Sequence, residues 1–163
     1  MNIVIPKPVN EVMNLLYDNN YEGYIIGGAV RNMVMGEKPK NYNISTNASI
    51  NDIQKIYKNY NTYLNGENND VLGIVNSKFP MEITKYRTIE NTLEADLASR
   101  DFTMNALAYS DEDGLIDYST GVQDIRNKVI KVNGEDDKIF VEDPLRILRA
   151  IRFATILNFE FLW

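Results

Sequence analysis

Two glycines and two asparagines pose the chemical question. Gly27-Gly28-Ala29-Val30-Arg31 reads as a tight turn opening a helix. In such a turn backbone N–H groups can approach phosphate oxygens, and the helix dipole favours negative charge. Asn41-Tyr42-Asn43-Ile44 follows, with Asn41 and Asn43 two apart and so expected on one face of a strand. Carboxylates at such positions would hold divalent ions between an attacking and a leaving oxygen. Asparagine offers only a neutral carbonyl, whereas magnesium favours carboxylate and phosphate oxygens, so a site built on Asn41 and Asn43 is expected to bind magnesium weakly. The plainer readings are a strand-to-helix turn that uses glycine for positive φ, and a polar strand face.

Composition narrows the chemistry. The 163 residues suit one domain with a hydrophobic core, read as spanning 1–163. The chain has no Cys and no His, which excludes disulfides, thiolate metal sites, imidazole ligands and histidine bases. Chemistry must rest on carboxylates, amides, Arg and Lys. The net charge of −6 opposes bulk attraction to nucleic acid, so any RNA affinity must come from a local basic patch. No apolar run approaches the roughly 20 residues that span a bilayer, and the first residues lack a basic n-region and a long apolar stretch. A cytoplasmic protein without membrane partners is expected.

The elements that must position these residues alternate between helix and strand. Val9, Val12, Met13, Leu15 and Leu16 recur at helical spacing, and Glu22 to Ile26 reads as a strand ending at the glycines. A helix over 28–34, a strand over 42–46 and a helix capped by Ser49 follow. Strands are expected over 62–64, 71–75 and 81–86, then a short helical run over 102–108. A turn-rich segment from Asp111 to Gly121, a strand over 129–132 and a long helix from about Glu142 complete the pattern.

Several stretches together carry a resemblance to a family. They are the GGAVR run, Met81-Glu82-Ile83-Thr84-Lys85-Tyr86-Arg87, Arg100-Asp101-Phe102-Thr103-Met104-Asn105-Ala106-Leu107, and Glu142-Asp143-Pro144-Leu145-Arg146 with Arg149 and Arg152. In type and order these resemble the head domain of the tRNA nucleotidyltransferases (CCA-adding enzymes) and bacterial poly(A) polymerases. The resemblance implies an α/β (α+β) nucleotidyltransferase fold, a small mixed sheet flanked by helices. It implies metal-dependent transfer of CMP or AMP from CTP or ATP to the 3′ end of an RNA such as tRNA. Magnesium is then the expected cofactor. Asn41 and Asn43 stand where the family has catalytic aspartates, and Glu82 matches its third carboxylate. Gly27, Gly28 and Arg31 correspond to triphosphate contacts, and Arg100, Asp101 and Asn105 to ribose and triphosphate contacts. Asp143 and Arg146 correspond to the pair that reads the incoming base, with Arg149 and Arg152 lining the same nucleotide.

The chain also departs from that pattern. Asn32 and Ser99 replace a family Asp and Arg, and 88–99 reads as a mobile loop cut to a stub. The family's neck, body and tail domains are expected to be absent, which would leave RNA weakly held. The segment from Asp111 to Asp124 looks like the family's hinge, although turn chemistry explains it equally well. Asp101 could simply cap a short helix over Phe102, Met104 and Leu107. Asp143, Arg146, Arg149 and Arg152 could form a solvated, salt-bridged helix face, with Leu145, Leu148, Ile151 and Ile156 on the apolar side. The apolar C-terminal end could serve self-association. The enzyme is read as impaired, and a catalytically inactive nucleotide-binding or protein-interaction module derived from the family stands as the alternative.

Overall fold

The computed structural model describes residues 3–162, apart from the side chains at 136 and 137. Helix α1 (Lys7–Asp18) carries an i, i+3, i+4, i+7 stripe, and Val9, Val12, Met13 and Leu16 bury it. The chain continues through β1 (Tyr24–Ile26), α2 (Gly28–Val34), β2 (Tyr42–Thr46) and α3 (Ile50–Ile56), the last capped where Ser49 Oγ accepts from Asp52 N. Strands β3 (Thr62–Asn65), β4 (Val71–Ile74) and β5 (Met81–Lys85) precede α4 (Leu93–Ala98). A 3₁₀ turn at Thr103–Asn105, strands β6 (Leu107–Ser110) and β7 (Gly114–Asp117), and α5 (Gly121–Asn127) follow. The last elements are β8 (Val129–Lys131), α6 (Asp136–Glu142), α7 (Leu145–Leu157) and β9 (Glu160–Leu162).

Seven strands form one sheet in the order β3-β4-β5-β2-β1-β6-β7, and β8 pairs with β9. Within the large sheet β2 and β5 run parallel while the other neighbours are antiparallel, so the sheet is mixed. Strand alternation sends Ile25, Ile44, Leu72 and Ile83 into the main core with the α1 stripe and Ile53 of α3. The opposite face carries a cross-strand row of Ala108, Ile26, Asn43, Glu82 and Gly73. Leu93 and Leu97 of α4 pack with Ile26, Tyr86 and Ala108, so this face is covered at one end and open over Asn43 and Glu82.

Some expected elements differ. The segment over 88–99 contains α4, capped where Thr92 Oγ1 accepts from Ala95 N, and is not a stub of loop. The helical run over 102–108 shrinks to the 3₁₀ turn, because β6 pairs with β1 from Ala108 onward. The turn-rich segment forms the β6–β7 hairpin and the start of α5. Asp117 receives N–H bonds from Ser119 and Val122, while buried Asp124 accepts from the hydroxyls of Thr103 (2.6 Å) and Thr120 (2.7 Å). Gly121 is needed here, since a Cβ would lie 2.3 Å from Thr103 O. The long helix begins at Leu145, after Asp143 adopts extended backbone with φ −146°. Its Leu145, Leu148, Ile151 and Ile156 face outward, because α7 packs through Ala150 and Phe153 instead. Among the described residues no helix is long and apolar enough to cross a membrane.

Candidate nucleotide site

Gly27 stands between β1 and α2 with φ 67° and ψ −130°, a conformation open to glycine and strained for other residues. A Cβ on Gly27 would sit 3.5 Å from Arg100 Nη1, so the turn lies directly against that guanidinium. Helix α2 is only two turns long and contributes a modest dipole. Side-chain cations therefore supply most of the positive charge near the turn.

Arg31 is the first of them. Its Nη1 donates to Asn105 Oδ1 at 2.7 Å and its Nη2 to Asn32 Oδ1 at 3.2 Å. Burial lowers its pKa, and Glu37 and Asp101 oppose that shift. Asn105 donates through Nδ2 to Asp101 Oδ1 at 3.3 Å, and the same oxygen accepts from Phe102 N at 2.8 Å. Asp101 Oδ2 accepts from Arg149 Nε at 2.7 Å. The Arg31 and Arg149 guanidinium carbons lie 5.1 and 5.8 Å from the Phe153 ring centroid. One network thus joins α2, the 3₁₀ turn and α7. Asp101 also accepts from the turn, as a capping residue would.

Arg100 is held separately. Its Nη2 and Nε donate to Asp96 Oδ2 at 2.8 and 3.3 Å, and Asp96 Oδ1 accepts from Arg87 N at 2.8 Å. Asp96 is fully buried, so this carboxylate fixes Arg100 and the backbone at Arg87 together. Partial burial, and then repulsion from Arg100 and Arg149, lowers the pKa of Arg87, which places three guanidiniums in one neighbourhood. Arg87, Arg100 and Lys85 line a cleft of about 500 Å³ over the open sheet face, with Asn43, Glu82 and Asp70.

The expected metal ligands are only partly assembled. Asn43 and Glu82 are register partners on parallel strands and face the cleft together. Asn43 Oδ1 is buried and has no hydrogen-bond partner among the described residues. Asn41 is exposed and precedes the strand, because pairing begins where Tyr42 N donates to Pro80 O at 2.9 Å. Asn41 thus lies one residue before β2 and is not among the residues lining the cleft, whereas Asn43 is. Among the described residues no group of three acidic side chains is arranged to hold a metal. One carboxylate and one neutral amide oxygen do not fit a tightly held pair of magnesium ions.

Asp143 and Arg146 stand at the start of α7. Asp143 Oδ1 accepts from Leu145 N at 3.0 Å, and Asp143 Oδ2 lies 3.9 Å from Arg146 Nε. Arg146 also reaches Ile139 O and Glu142. Arg152 is exposed and stands outside the network. Asp96, Asp70, Lys85 and Arg87 were not singled out as candidates from the sequence. Asp96 precedes Arg100 by one helical turn, and that i, i+4 spacing was the available signal.

A family model described as the poly A polymerase head domain matches residues 23–131. The CCA-adding enzyme of Staphylococcus aureus (strain MRSA252) is 32% identical, with 91% of this chain and 40% of that enzyme covered. A crystal structure of the Bacillus stearothermophilus CCA-adding enzyme in complex with CTP superposes with a TM-score of 0.86 at 32% identity, covering 97% of this chain and 42% of that one. A tRNA nucleotidyltransferase complexed with a primer tRNA and an incoming ATP analog gives 0.78 at 32% identity, covering 93% and 46%. The chain spans about 40% of the length of the curated relatives it matches.

Proposed function

The chain belongs to the poly(A) polymerase head domain family, and we propose that it holds CTP or ATP as the head of a nucleotidyltransferase that extends RNA 3′ ends. The observation that carries this reading is the network from Arg31 through Asn105 and Asp101 to Arg149, set beside the Gly27 turn and Arg100. The bare backbone at Gly27 and Gly28 leaves room for phosphate oxygens, and Arg31 and Arg100 supply positive charge that needs little rearrangement. Asp101 and Asn105 offer an acceptor and a donor suited to ribose hydroxyls. Asp143 and Arg146 set an acceptor and a donor side by side, a pattern able to meet the edge of a base.

Family membership implies a divalent metal in general; Asn43 and Glu82 are the side chains that would hold it here, where it would lend positive charge to the reacting phosphate. The side chains present fit it poorly, so magnesium is expected to bind weakly and transfer to run slowly. That same misfit favours a second reading, a nucleotide-holding module without turnover, formed by Gly27, Gly28, Arg31, Arg100, Asp101, Asn105 and Arg149. Calorimetric titration of CTP and ATP with and without magnesium, beside an RNA extension assay on the same sample, separates the two. Binding with slow extension supports the enzyme. Binding without extension supports the module, and no binding sinks both.

A further inference from the structure

The arginines of the nucleotide site are unequally neutralised. Arg100 is held by the fully buried carboxylate of Asp96, and Arg149 donates to Asp101. Arg31 and Arg87 differ, because among the described residues neither has a carboxylate within ion-pairing distance. Arg31 donates only to the neutral amides of Asn105 and Asn32, and its buried Nε has no hydrogen-bond partner among the described residues. Arg87 is exposed and lines the cleft with Arg100. Guanidiniums also back both glycines of the turn. A Cβ on Gly27 would sit 3.5 Å from Arg100 Nη1, and one on Gly28 would sit 3.4 Å from Arg31 Nη2. Asp96 occupies the Nε and Nη2 edge of Arg100, which leaves Nη1 turned toward the bare backbone.

The negative charge that would oppose an anion here is reduced. Asn43 is neutral, Asn41 lies outside the cleft lining, and Glu82 is the carboxylate that remains on the open sheet face. Asp70 and Lys85 stand at the rim, one step beyond the Val71–Thr84 register pair, and offset one another. Three carboxylates facing a triphosphate would repel it, and divalent ions between them would remove that repulsion. With amides at two of the three positions the repulsion falls, while the charge of Arg31 and Arg87 still lacks a counterion. A nucleoside triphosphate carries about four negative charges above about pH 7, because its terminal phosphate loses its second proton near about pH 6. A magnesium ion on the phosphates cancels about half of that charge and weakens the attraction to the guanidiniums in proportion.

We propose that this site takes the metal-free nucleotide, with Arg31, Arg87 and Arg100 holding the triphosphate, and that magnesium opposes binding by drawing the ligand into its own complex. The identity of the ligand as CTP or ATP rests on the nucleotide reading above. The test is calorimetric titration of CTP into the full chain, in EDTA and again in excess magnesium, at one ionic strength set with sodium chloride. Affinity should be about fivefold or more higher in EDTA. Inorganic tripolyphosphate should compete with CTP in EDTA, since the phosphates carry the attraction. Arg87→Gln should lower the affinity in EDTA about fivefold and narrow the difference between the two conditions. Arg87→Lys keeps the charge and should keep the difference. Asn43→Asp should move the preference toward the magnesium complex. Equal or tighter binding in magnesium would overturn the metal-free preference and leave nucleotide holding intact. An Arg87→Gln variant that is folded by circular dichroism and binds in EDTA as its parent does would overturn it too, as would tripolyphosphate that leaves CTP binding unchanged. No binding of CTP in either condition would remove the nucleotide reading together with this one.

Discussion

Asn43→Asp is the most informative single change, because the register places it beside Glu82. Neighbouring strands lie about 4.8 Å apart, so two carboxylates there would repel by about 3 kcal/mol at an effective dielectric of about 20. Both positions are half-buried, and solvent screening brings the cost nearer to about 1 kcal/mol. For a chain of this size that lowers the melting temperature by about 2–4 °C without metal. A magnesium ion between the carboxylates reverses the sign, since it attracts each with twice the charge product. Affinity should rise about tenfold, and magnesium at about ten times its Kd should restore about 1.4 kcal/mol. Scanning calorimetry across a magnesium series, with ionic strength held constant by sodium chloride, reads both terms. The unaltered chain should respond little. Asn41→Asp should add less than Asn43→Asp, because Asn41 lies off the strand and outside the cleft lining. A variant as stable as its parent without metal, and no more responsive to magnesium, would refute the side-by-side placement of residues 43 and 82.

Asp96→Ala should cost about 3–5 kcal/mol in urea unfolding, because it strands the buried Arg100 guanidinium and the Arg87 N–H, while Asp96→Asn keeps an acceptor and should cost less. Burial, and then Asp111, Glu112 and Asp113, push the Tyr17 phenol up to about 12, and burial also raises Tyr24, Tyr57 and Tyr86. A folded pKa above the unfolded value near 10 stabilises the fold below that pH. That contribution is lost as pH rises from 10 to 12. Denaturant midpoints should therefore fall across that window, in step with tyrosinate absorbance, and a flat profile would contradict the burial of these phenols.

Local chemistry made much of the fold legible. Gly27 and the break after Val34 bounded α2, Ser49 marked the start of α3, and the alternation around Ile83 marked β5. Where local signals competed with sheet pairing, pairing prevailed. Residues 102–108 have helical apolar spacing, but Leu107 and Ala108 go to β6 because β1 supplies hydrogen-bonding partners. Helix α4 was announced by Thr92, by Glu94 and Asp96 in its first turn and by Leu93 and Leu97 one turn apart, but six residues are too few for periodicity alone to separate a helix from a loop. Within the site, the grouping of Arg31, Asn105, Asp101 and Arg149 depends on contacts between distant segments, which spacing alone does not determine. That β2 starts at Tyr42, one residue after Asn41, depends on where pairing with β5 begins, a tertiary fact that the alternation of residues 41 and 43 does not fix.

The cross-strand row through Ala108, Ile26, Asn43, Glu82 and Gly73 also bears on how such a chain can change over generations. Residue 43 alternates with Tyr42 and Ile44, which the core requires. An inserted or deleted residue in β2 would exchange the two faces, burying the polar side chain and expelling the isoleucine. Substitution at 43 leaves that phase intact. The strand therefore preserves an address for a cleft-facing side chain while leaving its occupant free to vary, so the charge presented there can change by a single codon without the scaffold being rebuilt.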